Sequence, residues 1–239
     1  MIEIKNLNLN FGNEILFNNI ELNIPENKIT MIVGPNGTGK TTLFKILNGE
    51  IKNKCKITNT FKKVFYLPQK IYYTKGITTY DYVSSILFKN SWKWFLNNTE
   101  KQKVYDALRQ MDLLEKQHLE IDKLSAGEIQ RANIAMGLLS GADLFLLDEP
   151  TSNMDLVNQI KTLDIIKKMT LSGISVAIIM HDLNLSASYG DYFIGISQKH
   201  RVYKADKKNF FKPEILNEIY DISFKVINNE EKFYVQIFN

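Results

Sequence analysis

The sequence predicts an α/β protein with a parallel sheet at its core, an antiparallel β region at its start and a helical insertion. Two continuous apolar runs of strand length, Leu144–Leu147 and Val176–Ile179, are typical of parallel strands that are buried on both faces. A third run, Ile29–Val33, leads through a glycine-rich loop into a helix-like segment. Residues 2–24 alternate between apolar and polar side chains, which indicates half-buried antiparallel strands.

Local spacing predicts the elements of the first half of the chain. The two opening strands should meet at a turn at Gly12-Asn13, and a helix should follow the glycine-rich loop over Lys40–Asn48. Residues from about 76 to 140 are mainly helical by their apolar spacing, which is set by Val104, Ala107, Leu108, Met111 and Leu114. We expect this stretch to be a helical subdomain inserted into a single domain of residues 1–239.

The second half continues the α/β pattern. An amphipathic crossover helix is predicted from the apolar positions Leu156, Ile160, Leu163 and Ile166. Strands are expected near Tyr192–Ser197 and Arg201–Tyr203, followed by a helix that begins at Pro213. The chain should close with a hairpin around Asn228-Asn229, and the stretch from Gly49 to Tyr66 leaves room for only a trimmed antiparallel region.

Composition excludes some classes of protein. The chain has 239 residues with 30 Lys and Arg against 26 Asp and Glu, a net charge of +4. Because this excess is small and no dense basic run occurs, we expect no nucleic-acid partner. The single cysteine, Cys55, rules out an intrachain disulfide and favours a reducing compartment. No apolar run is long enough to cross a bilayer, and no signal peptide is expected.

The most specific local motif is a phosphate-binding loop that matches G-x-x-x-x-G-K-[ST] without a mismatch. Its glycines let backbone N–H groups point at phosphate oxygens, and the helix that follows directs its positive end at them. The lysine brings a cation to the β- and γ-phosphates, and the threonine hydroxyl suits Mg²⁺. The loop alone leaves an ATPase, a kinase and a GTPase open. The expected nucleotide-binding set is Gly34, Pro35, Asn36, Gly37, Thr38, Gly39, Lys40, Thr41 and Thr42.

A pair of acids ends the apolar run at Leu144. In open α/β sheets ligands bind at the carboxyl ends of the strands, which is where Asp148 and Glu149 should lie. Asp148 suits the Mg²⁺ shell together with Thr41. Glu149 suits the general base that polarises the attacking water. The alternative for Glu149 is a solvated acid at a strand end.

The segment Leu124-Ser125-Ala126-Gly127-Glu128 resembles the LSGGQ signature of ABC transporter nucleotide-binding domains, and the resemblance covers almost the whole chain. It implies the ABC ATPase fold, with ATP and Mg²⁺ as ligands and a second copy of the chain as partner. Ser125, Ala126, Gly127 and Glu128 would contact the ATP held by that second copy. The alternative is an ordinary helix N-cap formed by Ser125 and Glu128.

Further positions match this family. Phe11 falls where the family stacks an aromatic on adenine, although a strand core residue is the alternative. Gln69 matches the glutamine that reaches Mg²⁺ and the attacking water, and His181 matches the histidine that contacts the γ-phosphate. Asp155 matches an acid at the contact between subunits. Ala126 replaces a glycine of the signature, which leaves open a nucleotide-dependent scaffold that does not turn over.

The run His181-Asp182-Leu183-Asn184 and the tail around Tyr220 are similar to importers of iron–siderophore complexes, haem and vitamin B12. The resemblance implies membrane permease subunits and, indirectly, a substrate-binding protein as partners, at the cytoplasmic face of a bacterial membrane. The alternative is a soluble ABC ATPase uncoupled from transport. The aromatic-rich stretch after Gln69 would help to form the groove for the permease, whereas Trp92 and Trp94 are interpreted as packing inside the helical insertion.

Overall fold

A central mixed sheet, a small antiparallel sheet and a group of helices make up the chain. The structure, a computed structural model, describes residues 1–11, 14–53, 55–89, 94–229 and 232–238, without the side chains of Phe11 and Glu14. The strands are β1 (Ile2–Phe11), β2 (Glu14–Ile24), β3 (Ile29–Val33), β4 (Lys56–Asn59), β5 (Val64–Leu67), β6 (Leu144–Asp148), β7 (Ser175–Ile179), β8 (Tyr192–Ile196), β9 (Val202–Asp206), β10 (Phe224–Asn229) and β11 (Lys232–Ile237). The helices are α1 (Lys40–Leu47), α2 (Thr79–Ser84), α3 (Asn98–Gln110), α4 (Ala126–Ser140), α5 (Leu156–Leu171), α6 (Leu183–Tyr189), α7 (Lys207–Phe210) and α8 (Pro213–Tyr220).

The central sheet has the strand order β5-β6-β7-β3-β8-β9. The first five strands in this order pair in parallel, and β9 is antiparallel to β8. Every residue of β3, β6 and β7 is buried, because helices and the second sheet cover both faces. The predicted α/β fold is confirmed. Its consequence for function is that the loops after β5, β6, β7 and β3 emerge at one edge.

The antiparallel sheet lies over the phosphate-loop helix. It has the order β2-β1-β4, with Ile4 opposite both Leu22 and Ile57. The inward side chains of β1 and β2 share one buried cluster with Leu43 and Phe44 of α1. Strand β4 contains four exposed residues, which agrees with the trimmed region expected from the sequence. The predicted turn residues Gly12 and Asn13 are outside the described part of the chain.

Helices α2, α3 and α4 occupy the stretch between β5 and β6. The apolar face of α3 is buried through Val104, Ala107 and Leu108. The Tyr82 hydroxyl donates to Asn133 Oδ1 at 2.7 Å, which joins α2 to α4 inside this group. These helices share a second core with one face of the central sheet. In the described ranges, every helix is too short or too polar to span a bilayer.

Three expectations about burial and turns are wrong. On α5, Leu163 and Ile166 are buried as predicted, but Leu156 and Ile160 are 61% and 38% exposed. Trp94 is 88% exposed, while Trp92 lies outside the described residues. The closing hairpin is confirmed as β10 and β11, but Asn228 and Asn229 belong to β10, paired with Phe233 and Lys232, and are not its turn.

Candidate active site

The phosphate-binding loop runs between β3 and α1 and is shaped by its glycines. Gly34 has a φ of +146°, and a Cβ atom there would lie 2.2 Å from the Ile196 carbonyl oxygen, so no side chain fits. Gly39 has a φ of 92° and precedes α1 without a side-chain cap. The Thr38 hydroxyl donates to the Pro35 carbonyl at 3.0 Å. The first backbone N–H groups of α1 are therefore free to face a ligand.

Lys40 is the first residue of α1 and is buried at 6% exposure. Its Nζ donates to the carbonyl oxygens of Gly34 at 2.9 Å and Pro35 at 2.7 Å. Burial lowers the pKa of Lys40, and the charges of Glu149 and Asp148 oppose that effect. An ammonium held by two neutral carbonyls gains much more from phosphate oxygens. The Lys40 ammonium is thus held against the loop, close to where a triphosphate would lie.

Asp148 ends β6 and is 1% exposed. Neither of its carboxylate oxygens has a well-aligned hydrogen-bond partner among the described residues. Burial raises the pKa of Asp148, against the effect of the nearby Thr41 hydroxyl. A buried carboxylate without a partner is costly unless a cation binds it. Asp148 and Thr41 are oxygen ligands of the type that Mg²⁺ prefers, and phosphate oxygens complete such a shell, so these residues fit the ion.

Glu149 brings the ends of three strands together. Gln69 Nε2, after β5, donates to Glu149 Oε2 at 2.6 Å. His181 Nε2, after β7, is 2.6 Å from Glu149 Oε1. Glu149 has a φ of +50°, an uncommon conformation for a residue with a side chain. The three side chains that the sequence singled out as catalytic are therefore in direct contact, although they are far apart along the chain.

The segment Ser125–Glu128 forms the start of α4 away from this cluster. Ser125 and Glu128 make a capping box: Ser125 N donates to Glu128 Oε2 at 3.0 Å, and Glu128 N donates to Ser125 Oγ at 3.4 Å. Lys116 Nζ pairs with Glu128 Oε1 at 2.5 Å. Across the described ranges, no hydrogen bond or ion pair joins this segment to the phosphate loop or to Glu149. In the isolated chain, Ser125 and Glu128 therefore form the helix N-cap that the sequence offered as the alternative.

Gly127 and Ala126 differ in surroundings. A Cβ atom at Gly127 would lie 3.4 Å from Asn158 Cβ, so this glycine is packed closely against the start of α5. Ala126, one residue earlier, is exposed. Asp155 caps α5 by accepting from Asn158 N at 2.9 Å and Asn158 Nδ2 at 2.8 Å. The signature segment and Asp155 are therefore adjacent on one surface.

The sequence analysis gave no role in the site to two tyrosines near the loop. The Tyr66 hydroxyl is buried without a well-aligned partner in the described structure, and burial together with the Asp148 charge raises its pKa. Burial raises the pKa of the Tyr220 hydroxyl, and the backbone of Gly34 opposes that effect. Tyr66 lies three residues before Gln69, and Tyr220 was named only for the resemblance of the tail. Among the predicted ligands, Phe11 lies at the end of β1 with its side chain outside the description, and Thr42 is half-buried in α1.

We expect Asp148→Asn to raise the melting temperature of the nucleotide-free chain while abolishing Mg²⁺-dependent hydrolysis. Because the folded-state pKa is raised, charging Asp148 destabilises the fold, and stability falls as pH rises from the ordinary carboxyl pKa to the raised one. Removing an unpaired buried charge is worth about 1–3 kcal/mol, or roughly 2–10 °C at this chain length.

Melting curves between pH 4 and 8, without nucleotide, check this expectation. The difference between variant and wild type should grow with pH across that window and then stay constant. Asp106→Asn, at a surface ion pair with Arg109, serves as the control and should melt within about 1 °C of wild type. A lower melting temperature for Asp148→Asn would contradict the interpretation.

The fold and this site define a class: a protein that binds a nucleoside triphosphate through a phosphate loop at the carboxyl edge of a parallel sheet. The family model described as ABC transporter matches residues 17–152, more than half of the chain, and the chain belongs to that family. It is an ATP-binding and ATP-hydrolysing subunit.

Relatives with established names cover nearly the whole chain. The iron(3+)-hydroxamate import ATP-binding protein FhuC of Bacillus subtilis is 28% identical over 95% of this chain and 90% of its own length. A probable iron chelatin transport ATP-binding protein of Helicobacter pylori is 30% identical over 98% of both chains.

Solved structures share the fold. A metal-chelate type ABC transporter in an inward-facing conformation has a TM-score of 0.87 at 22% identity, covering 99% of this chain and 96% of that chain. A post-hydrolysis dimer of the ATP-binding cassette MJ0796, bound to ADP and Pi, has a TM-score of 0.72 at 23% identity, covering 87% and 99%.

Proposed function

We propose that the chain is the ATP-hydrolysing subunit of a bacterial importer of iron chelates, bound to a membrane permease at the cytoplasmic face. The contact of Glu149 with both Gln69 and His181, next to the phosphate loop, carries the proposal of hydrolysis. The names of the relatives support iron chelates as cargo, with haem and cobalamin as the next candidates. A substrate-binding protein would deliver the cargo on the other side of the membrane.

The phosphate loop and the first turn of α1 would bind the triphosphate. Its γ-phosphate offers Lys40 Nζ better acceptors than the two carbonyls it contacts now. Mg²⁺, held by Thr41, Asp148 and the phosphate oxygens, would neutralise charge that develops during the reaction. Phe11 is assigned to the adenine, and Gly34–Thr42 to the phosphates.

Hydrolysis would start from a change in the partners of Glu149. Both of its oxygens are engaged, by Gln69 and His181. A bound γ-phosphate supplies oxygens for Gln69 and His181, and this exchange frees Glu149 to accept a proton from the attacking water. Gln69 would then orient that water, and His181 would stabilise the phosphate oxygens. Catalysis of this type is mainly positioning and charge stabilisation.

A second copy of the chain would complete the site. Ser125 and the N–H groups at Ala126 and Gly127 lie at the positive end of α4, a 15-residue helix, and such an end attracts phosphate. Glu128 is turned towards Lys116, which reduces its repulsion of an anion there. Asp155, on the same surface, is assigned to the contact between copies.

We assign a surface groove of about 510 Å³ to the contact with a helix of the permease. It lies where α1, β5 and the stretch after α2 meet, and it combines apolar and basic side chains. Its lining includes Lys45, Lys63, Tyr66, Pro68, Ile86 and Lys89. Since Gln69 directly follows Pro68, a helix seated here would sense the state of the nucleotide site. Residues from about 76 to 140 would move as a subdomain within the single domain of residues 1–239.

Uptake by the native bacterium tests the proposal. Deleting the gene should abolish uptake of ⁵⁵Fe-labelled hydroxamate, with haem and cobalamin uptake as parallel measurements. Wild type should restore uptake, and Lys40→Ala at equal abundance should not. Unchanged uptake of all three cargos would contradict import and favour an ATPase that is uncoupled from transport.

A further inference from the structure

The side chain of Asn184 joins the helix after His181 to the C-terminal hairpin. Val235 N donates to Asn184 Oδ1 at 2.8 Å, and Asn184 Nδ2 donates to the Val235 carbonyl at 3.3 Å. One amide thus pairs with both backbone groups of a single residue on β11, as a neighbouring strand would do. These groups would otherwise form a free strand edge.

The hairpin that receives Asn184 is firmly held. Phe224, Phe233 and Val235 are each buried at 9% exposure or less. The ring of Phe233 lies 5.7 Å from that of Phe211. Phe224 N donates to Asn217 Oδ1 of α8 at 2.7 Å. The hairpin is therefore anchored by contacts of its own, and a neighbouring helix can be positioned against it.

Helix α6, in contrast, depends on its neighbours. It has only seven residues, too few to be stable alone. Its start is fixed because Asp182 Oδ1 accepts from Asn184 N at 2.8 Å and from Leu185 N at 2.9 Å. Its end is tied to α5, since the Tyr189 hydroxyl donates to Asp164 Oδ1 at 2.8 Å. His181 directly precedes the Asp182 cap, so the placement of α6 sets the position of its imidazole.

We propose that Asn184 is a positioning residue for hydrolysis: by tying α6 to β11 it holds His181 beside Glu149. The proposal rests on the role in hydrolysis given above to His181. It gives a role to the Asn of the His181-Asp182-Leu183-Asn184 run. It also makes the C-terminal hairpin the support that positions His181. Among the hydrogen bonds of the described residues, Asp182 and Ser188 bond within the helix and Tyr189 bonds to α5, so none of them replaces the tie to β11.

Asn184→Ala removes both bonds to Val235, and its effect can be measured on the purified full chain. Alanine favours helix more than asparagine does, so a loss of activity cannot come from weaker helix propensity. We expect kcat to fall about tenfold, equivalent to roughly 1.4 kcal/mol, while the KM for ATP changes less than about twofold. Asn184→Asp keeps the acceptor for Val235 N–H, and its kcat should lie between those of the wild type and Asn184→Ala.

Two comparisons separate positioning from general stability. In a His181→Ala background, Asn184→Ala should cause no further loss, because the residue through which it acts is gone. Ser188→Ala, which removes a different side-chain bond on α6, should leave kcat unchanged. Hydrogen exchange of residues 181–189 should accelerate in Asn184→Ala, a readout that does not depend on turnover.

An unchanged kcat in Asn184→Ala overturns the inference, as does a tenfold loss that persists in the His181→Ala background. Absent ATPase activity in the wild type would instead count against the proposed function. In that case the hydrogen-exchange result alone decides whether Asn184 holds α6, and unchanged exchange would reject the tie.

Discussion

Glu149→Gln is expected to lower kcat for ATP hydrolysis by about 100- to 1,000-fold, with ATP binding intact. Glutamine keeps the shape of the side chain and can still contact Gln69 and His181, which now engage the two carboxylate oxygens. It cannot accept a proton from water. The triphosphate should therefore remain bound, and with it the contact between the two copies.

Single-turnover hydrolysis and size-exclusion chromatography with Mg·ATP measure the two consequences. The variant should elute as a dimer that persists with ATP and dissociates with ADP. Glu115→Gln, the same change at an exposed site, should behave as wild type does. Turnover at the normal rate in Glu149→Gln would show that Glu149 is not the base.

Two inactive variants are expected to regain activity when mixed, which is the second large effect. Lys40→Ala removes the cation of the phosphate loop, and Ser125→Arg places a bulky side chain at the start of α4. Each alone should retain about 1% of wild-type activity or less. In a mixed dimer, one site combines an intact loop from one copy with an intact Ser125 segment from the other.

The mixture should recover about a quarter of the wild-type ATPase rate, because about half of the dimers are mixed and each mixed dimer has one working site of two. The matched control mixes Lys40→Ala with Glu149→Gln. Because both residues serve the site of their own chain, each site of that mixed dimer carries one defect, and activity should stay low. If Ser125 served the ATP of its own chain, the first mixture would also stay inactive.

Much of the fold and the site could be predicted because the relevant signals are local. A buried parallel strand needs a continuous apolar run, and β3, β6 and β7 each have one. A phosphate loop needs glycines where φ is positive, as at Gly37 and Gly39. Asp148, Glu149 and His181 directly follow apolar strands, so their place at the sheet edge could be inferred from chain order.

Burial on partly covered elements could not be predicted in this way. Leu156 and Leu163 have equal hydrophobicity, yet one is 61% exposed and the other fully buried, because only the later turns of α5 meet the sheet. Trp94 has a large apolar side chain that is suited to packing, but it lies at the surface. Helical spacing defines a face, and the extent of the neighbouring elements decides how much of that face is covered.

By itself, the sequence determined the phosphate-binding motif, the apolar segments that form the central parallel strands, and the family. Only the tertiary structure decided that Glu149 contacts both Gln69 and His181, and that Asn184 pairs with Val235, 51 positions further along the chain. It also decided that the buried Asp148 carboxylate has no well-aligned hydrogen bond among the described residues. The reason is physical. Backbone conformation and apolar period are set by neighbouring residues, whereas pairing and burial of polar groups depend on segments that meet only after the chain has folded.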